Sequence, residues 1–267
     1  MSSGIVVERD GLVGTVRIDR PEVHNALNAA VLGELDRAIT ALAADGVRAI
    51  VLTGSGTRSF CAGADLDELG GLRADQAHDL LSAGQAVISR VERSPVPVIA
   101  AVNGVALGGG FELALACTFP ILAQTAELGL PETGLGLIPG YGGTQRLARR
   151  VGSSVAAYMI VTGERITADR AYALGLTPIA PVPSDHLQEA ARELALRICA
   201  RGPRAIRAAL LAVRHGSDGP LDAGLALESA LAGVVTAGEE AAEGIEAFKA
   251  RRTPSFGGAD DDRGGRR

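Results

Sequence analysis

The stretch NGVALGGGFELALAC at 103–117 constrains this chain most. It runs from a buried strand, PVIAAVNG at 97–104, through three consecutive glycines into an apolar helix. Glycine is a poor helix former, and Glu112 just inside the helix is poorly solvated if buried among Leu113, Ala114 and Leu115. Something in the fold must compensate for both. The same succession appears upstream. Residues 5–19 alternate around Asp10-Gly11 and predict a hairpin. From Asn28, a ready cap, Val31, Leu32, Leu35, Ile39 and Leu42 follow helical spacing. RAIVLTG at 48–54 then reads as a buried strand, 75–93 as a helix that stops before Pro95 and Pro97, and FPILAQ at 119–124 as a further strand. Strand, helix, strand, helix, strand is the pattern of a parallel sheet with right-handed crossovers, an α/β class.

After residue 140 the pattern changes. Segments 143–151, 153–162, 167–174, 185–201, 203–215 and 220–250 are Ala/Leu/Arg-rich with helical patterning, and no internal repeat stands out. The tail from Pro254, PSFGGADDDRGGRR, is rich in glycine and charge and is expected to lack fixed structure. At 267 residues the chain suits one sizeable core with an appended segment. Its net charge of −5, with Lys249 the only lysine, argues against a nucleic-acid partner. Cys61, Cys117 and Cys199 form no CxxC pair and no cluster with the four histidines, which argues against a metal site and for reduced thiols. MSSGIVVERDG lacks a signal-peptide pattern, and the apolar runs fall short of the roughly 20 residues that span a bilayer. A cytoplasmic protein without a membrane partner is the expectation.

A helix start preceded by glycines offers unpaired N–H groups to an anion. GxGxxG and GxxxxGK[ST] are both missing, so a phosphate loop is set aside. SFCAGADL at 59–66 also follows a strand and carries Gly63 among small residues. Donors from two such turns can converge on one carbonyl oxygen as an oxyanion hole. Glu112 and, in LGLPETGLGL, Glu132 are the nearby carboxylates. On spacing alone the plainer readings are preferred: a helix-start acid for Glu112, a cap or ion-pair partner for Glu132.

Taken together, RPEVHNALN (20–28), SFCAGADL (59–66), PVIAAVNGVALGGGFELALAC (97–117), LGLPETGLGLIPGYGGTQRLARRVG (128–152) and TGERITADRAYALGL (162–176) resemble the crotonase, or enoyl-CoA hydratase/isomerase, superfamily. The likeness runs from about residue 5 to about 256. It implies a spiral of ββα units over 1–200, a helical trimerisation segment over 201–256 and a tail at 257–267, assembled as a homotrimer or dimer of trimers. It makes Ala64 and Gly109 the oxyanion donors, and Glu112 and Glu132 the acid/base pair whose titrations couple. Val23, Ala26, Leu27 and the run Ala62, Gly63, Ala64, Asp65 and Leu66 would hold coenzyme A, with Phe248 and Lys249 reaching it at a subunit contact. The implied reaction is syn hydration of a trans-2-enoyl-CoA, with coenzyme A part of the substrate and no separate cofactor or metal.

The sequence departs from the family at Thr118 and Pro120, where many relatives carry an aspartate and a residue other than proline. It departs again at Leu128, where an aromatic is usual, and at Asp67, where several hydratases carry a lysine. These bear on substrate preference and affinity and remove no catalytic group. A Δ3,Δ2-enoyl-CoA isomerase needs only the later acid, so Glu112 favours hydration. A non-catalytic acyl-CoA binder would tolerate loss of either glutamate. An RNA-binding relative would need a lysine-rich helix, and a serine peptidase would need histidine and aspartate partners for Ser55 or Ser59 that spacing does not supply.

Overall fold

Gly11 (φ +59°) and Leu12 fold the chain back on itself, so that β1 (Ile5–Asp10) and β2 (Val13–Ile18) pair antiparallel from Ile5↔Ile18 to Asp10↔Val13. The computed structural model describes residues 4–257; of the tail expected from Pro254, residues 254–257 are described, with the Ser255 N–H donating to Glu243 Oε1 at 2.6 Å, and the rest lies outside the described residues. The chain divides into two compact units, one ending at Ala195 and the other beginning at Leu196.

In the first unit, α1 (Ala29–Ala44) starts where Asn28 Oδ1 accepts the Val31 N–H at 2.9 Å. Its buried face is Val31, Leu32, Leu35, Ala38, Ile39 and Leu42. Each large apolar side chain on that stripe contributes about 1.5–3 kcal/mol by leaving water. Then a pattern repeats. The strand β3 (Ala49–Gly54) is followed by the short β4 (Ser59–Cys61) and by α2 (Ala74–Glu92). The strand β5 (Val98–Val102) is followed by β6 (Val105–Leu107) and α3 (Gly109–Ala116). The strand β7 (Phe119–Leu122) leads to β8 (Glu127–Gly129) and a single 3-10 turn at Glu132–Leu135.

The first member of each pair enters a five-stranded sheet ordered β1-β2-β3-β5-β7, parallel from β2 onward. The second enters a sheet ordered β4-β6-β8-β9, closed antiparallel by β9 (Ile166–Thr167). This is an α/β spiral of ββα turns. Every residue of β3 and β5 is buried, as a strand covered on both faces requires.

Where the chain bends between sheets, backbone groups lose their ladder partners and need others. Asn103 supplies several: its Oδ1 accepts the Gly54 N–H at 3.1 Å and its Nδ2 donates to the Gly56 and Ser59 carbonyls at 2.9 and 3.2 Å. Asn25, in the left-handed region at φ 60°, donates to the Ser55 and Ser59 carbonyls at 3.0 and 2.9 Å. These two amides tie the bends together, and the loops that start there line the site described below. The helices α4 (Gly143–Val151), α5 (Ser153–Thr162) and α6 (Ala168–Ala173) follow, and α7 (Leu187–Cys199) runs across the division between units.

The second unit contains α8 (Pro203–Gly216), α9 (Leu221–Thr236) and α10 (Glu239–Lys249). Glu240 accepts the Arg204 N–H at 3.0 Å, a carboxylate against the start of α8. The expected helix over 220–250 is broken at residues 237–238, and α9 and α10 meet at 72°. Among the described residues no single helix is long and apolar enough to cross a membrane.

Candidate active site

The three consecutive glycines at 108–110 do three different things. Gly108 takes φ +48°, donates to the Gly129 carbonyl at 3.0 Å and turns the chain out of β6. Gly110 is required by packing: a Cβ there would stand 2.1 Å from the Cys61 carbonyl oxygen. Gly109 opens α3, and its N–H points away from any acceptor among the described residues. The Ala64 N–H is likewise without an acceptor among them, although its neighbours are fixed. Leu27 N–H donates to Gly63 O and Asp65 N–H to Leu27 O, both at 2.8 Å, and this bridge holds the 63–65 loop. A Cβ on Gly109 would stand 3.3 Å from the Ala64 nitrogen, so the two free N–H groups are neighbours.

Both face a cavity of about 600 Å³. Ala26, the whole run from Ala62 to Leu66, Gly109, Glu112 and Glu132 line it. Leu69, Ala77 and Leu81 from the segment after β4, the 135–138 stretch, Gly140 and Tyr141 complete the wall. Of the other expected residues, Leu27 is buried beneath the loop and Val23 is exposed at the end of the turn Pro21–Val23. Phe248 and Lys249 lie at the end of α10 in the second unit, with Phe248 85% exposed.

Glu112 is 1% exposed, one turn into α3. Its Oε1 accepts the Tyr141 N–H at 2.8 Å and the Gly143 N–H at 2.6 Å. Glu132 stands differently. Its Oε2 is buried without a hydrogen-bond partner among the described residues, and its Oε1 lies beside Gly108. A buried polar atom with no partner is uncommon and is satisfied by a proton, a water or a ligand.

Burial pushes Glu112 up to about 7, assisted by the charge of Glu132 and opposed by the two N–H donors and by Arg146. Burial also raises Glu132. The charge of Glu132 thus adds to the rise at Glu112, but desolvation outweighs it. The larger displacement at Glu112 would by itself make that residue the acid. Against this, two N–H donors on Glu112 Oε1 favour its ionised form, whereas at Glu132 only its own backbone N–H does so.

Tyr141 and Arg146 were not singled out in the sequence, although both lie in the glycine-rich run PGYGGTQR. Tyr141 packs so closely on α2 that a Cβ on Gly84 would stand 2.3 Å from its ring. The departures at Thr118, Pro120 and Leu128 have local reasons. Thr118 Oγ1 accepts the Val98 N–H at 3.1 Å, and Pro120 sits on the edge strand β7, where a missing N–H is tolerated. Leu128 is buried in β8 opposite Ile166, away from the cavity wall. Asp67 lies outside the wall and donates its N–H to Asp65 Oδ1 at 3.3 Å.

A model of the family described as enoyl-CoA hydratase/isomerase matches residues 8–259. A crotonyl-CoA hydratase from Syntrophomonas wolfei is 40% identical, covering 94% of this chain and 97% of its own length. A 2,3-dehydroadipyl-CoA hydratase from Escherichia coli is 42% identical, covering 96% and 99%. The crystal structure of an enoyl-CoA hydratase from Bacillus anthracis superposes with a TM-score of 0.90 at 42% identity, covering 95% of this chain and 98% of that one. The same two-sheet spiral with C-terminal helices is thus found in a solved hydratase. With this fold, these motifs and these relatives, the chain belongs to the enoyl-CoA hydratase/isomerase family.

Proposed function

We propose that the protein is an enoyl-CoA hydratase, adding water syn across a trans-2-enoyl-CoA to give a 3-hydroxyacyl-CoA in fatty-acid β-oxidation or related acyl-CoA metabolism. The observation that carries this reading is the joint presence, on one cavity wall, of two free backbone N–H groups and two carboxylates in unlike environments, Glu112 buried and Glu132 half-buried. The thioester oxygen accepts from Ala64 and Gly109. Glu112 orients a water and takes its proton as the water oxygen bonds to the β-carbon. The double-bond electrons move toward the α-carbon, and the thioester oxygen takes up charge against the two donors. Glu132 delivers a proton to the α-carbon, so one water is added in all, and a proton then passes from Glu112 back to Glu132, directly or through water, before the next cycle.

The wall also supports an acyl class. Leu66, Leu69, Ala77, Leu81 and Leu137 make it apolar, and the charged side chains along it, Asp65, Glu112 and Glu132, are all acids. That wall would desolvate a terminal carboxylate and offers it no cation, so we assign hydrocarbon acyl chains as substrates. Coenzyme A is placed along Val23, Ala26, Leu27 and Ala62–Leu66, with Phe248 and Lys249 supplied from another subunit of a homotrimer or dimer of trimers. The exposed apolar side chains Leu221 and Val234 of α9, each 75% exposed, and Phe248 support an assembled form. Three buried cysteines, none of them in a disulfide, support a reducing compartment such as the cytoplasm. Light scattering at working concentration tests the assembly: an active monomer would refute it. Initial rates on crotonyl-CoA test the reaction, and conversion of a 3-enoyl-CoA to the 2-enoyl isomer without hydration would favour the isomerase instead.

A further inference from the structure

Arg146 lies one turn into α4 and its side chain is 12% exposed. An arginine that deep needs partners for its donors, and it has them on two sides. Nε and Nη2 donate to Glu92 Oε2 at 3.1 and 2.8 Å, and Nη2 also donates to Ser89 Oγ at 3.2 Å, both residues of α2. Nη1 donates to the Tyr141 carbonyl at 2.7 Å. That carbonyl belongs to the turn whose Tyr141 and Gly143 N–H groups hold Glu112 Oε1. Between them Gly142 sits at φ +104°, and a Cβ there would stand 2.3 Å from Arg146 Nη1. The guanidinium is therefore pressed against the turn, with no room for a side chain between.

We propose that Arg146 is a positioning residue for Glu112: anchored on α2, it fixes the 141–143 turn so that two N–H groups bind one carboxylate oxygen and leave the other for water. The inference rests on the hydratase reading for its kinetic readout alone. Three other groups also face Glu112: Glu132, whose charge resists its ionisation, the Tyr141 phenol, and Arg146 itself, whose charge favours ionisation. Removing Arg146 takes away that charge and loosens both N–H donors, and each change disfavours the carboxylate.

The test compares wild type with Arg146→Gln, Arg146→Lys and Glu92→Gln. The Glu112 carboxyl is titrated by ¹³C NMR of labelled glutamate, its resonance assigned by its loss in Glu112→Gln. In Arg146→Gln the titration should move up by about one pH unit, and the acid limb of kcat/KM on crotonyl-CoA should follow it. At pH 7 that is about a fivefold loss, almost wholly recovered at pH 9, with KM changed less than twofold. Arg146→Lys should lie between the two. Glu92→Gln keeps the cation and loosens its anchor, so it should show a smaller shift in the same direction, and it serves if Arg146→Gln does not fold. A folded Arg146→Gln with the wild-type titration overturns the proposal. So does a rate loss that is equal at every pH and accompanied only by a lower melting temperature. If wild type does not hydrate crotonyl-CoA, the hydratase reading fails, while the carboxyl titration still decides the role of Arg146.

Discussion

Glu112→Gln should make the protein more stable at pH 8 while it lowers turnover. In the folded chain the Glu112 carboxyl is pushed from an ordinary 4.5 to about 7, mainly by burial. The folded state therefore keeps this proton to a higher pH than the unfolded chain. Between about pH 4.5 and 7 the unfolded state binds fewer protons, so stability falls as pH rises and levels off above the folded value. At about 1.4 kcal/mol per pH unit, the cost of the ionised group at pH 8 has a ceiling of about 3 kcal/mol. The glutamine oxygen can keep the bonds from Tyr141 and Gly143 but carries no charge. In urea unfolding at fixed protein concentration, the variant should exceed wild type by roughly 1–3 kcal/mol at pH 8 and by less than about 1 kcal/mol at pH 5. Its kcat should fall by about 10²–10⁴, the range for losing a general base. A variant no more stable than wild type at pH 8, with turnover retained, would refute both the burial argument and the catalytic one.

Gly109→Pro removes one free N–H at the first helical position, where proline's φ is tolerated, and should cost about 10²–10³ in kcat; circular dichroism and binding of a non-reactive acyl-CoA check that fold and cavity survive the tight approach to Tyr141. A panel of crotonyl-CoA and 2,3-dehydroadipyl-CoA should show kcat/KM at least about tenfold lower for the carboxylated substrate, a lower bound on the cost of one desolvated charge; equal values would overturn the assignment of hydrocarbon chains. Phe248→Ala and Lys249→Ala should raise KM with kcat nearly unchanged, since the contacts are remote from the reacting carbons; steady-state kinetics with no change in KM would remove both residues from the coenzyme A site.

Much of the first sheet was legible because its strands and helices carry their own signals. Asn28 announces α1, Asp10-Gly11 the hairpin, and the uninterrupted apolar runs β3 and β5. The second sheet was not legible from periodicity. Its strands are two or three residues long, too short for a pattern, and begin where Asn25 and Asn103 hold the bends out of the first sheet. At the site, the four backbone and carboxylate positions came from motif resemblance; pattern alone preferred plainer roles for each. Tyr141 and Arg146 escaped because their roles arise from distant partners. Nothing local connects Arg146 to Ser89 and Glu92, 57 and 54 residues away. The break between α9 and α10 was missed as well, since Ala237-Gly238 interrupts an otherwise continuous helical composition.

The central claim is that two glutamates beside two backbone donors add water to an enoyl thioester. Proton NMR of crotonyl-CoA incubated in D₂O with wild type, Glu112→Gln and Glu132→Gln tests it most directly. The account predicts that wild type yields 3-hydroxybutyryl-CoA with one deuterium at C2 in a single diastereomeric position, and that each variant forms it at least about a hundredfold more slowly. Unchanged crotonyl-CoA with the folded wild-type protein, or full hydration by either variant, would contradict it.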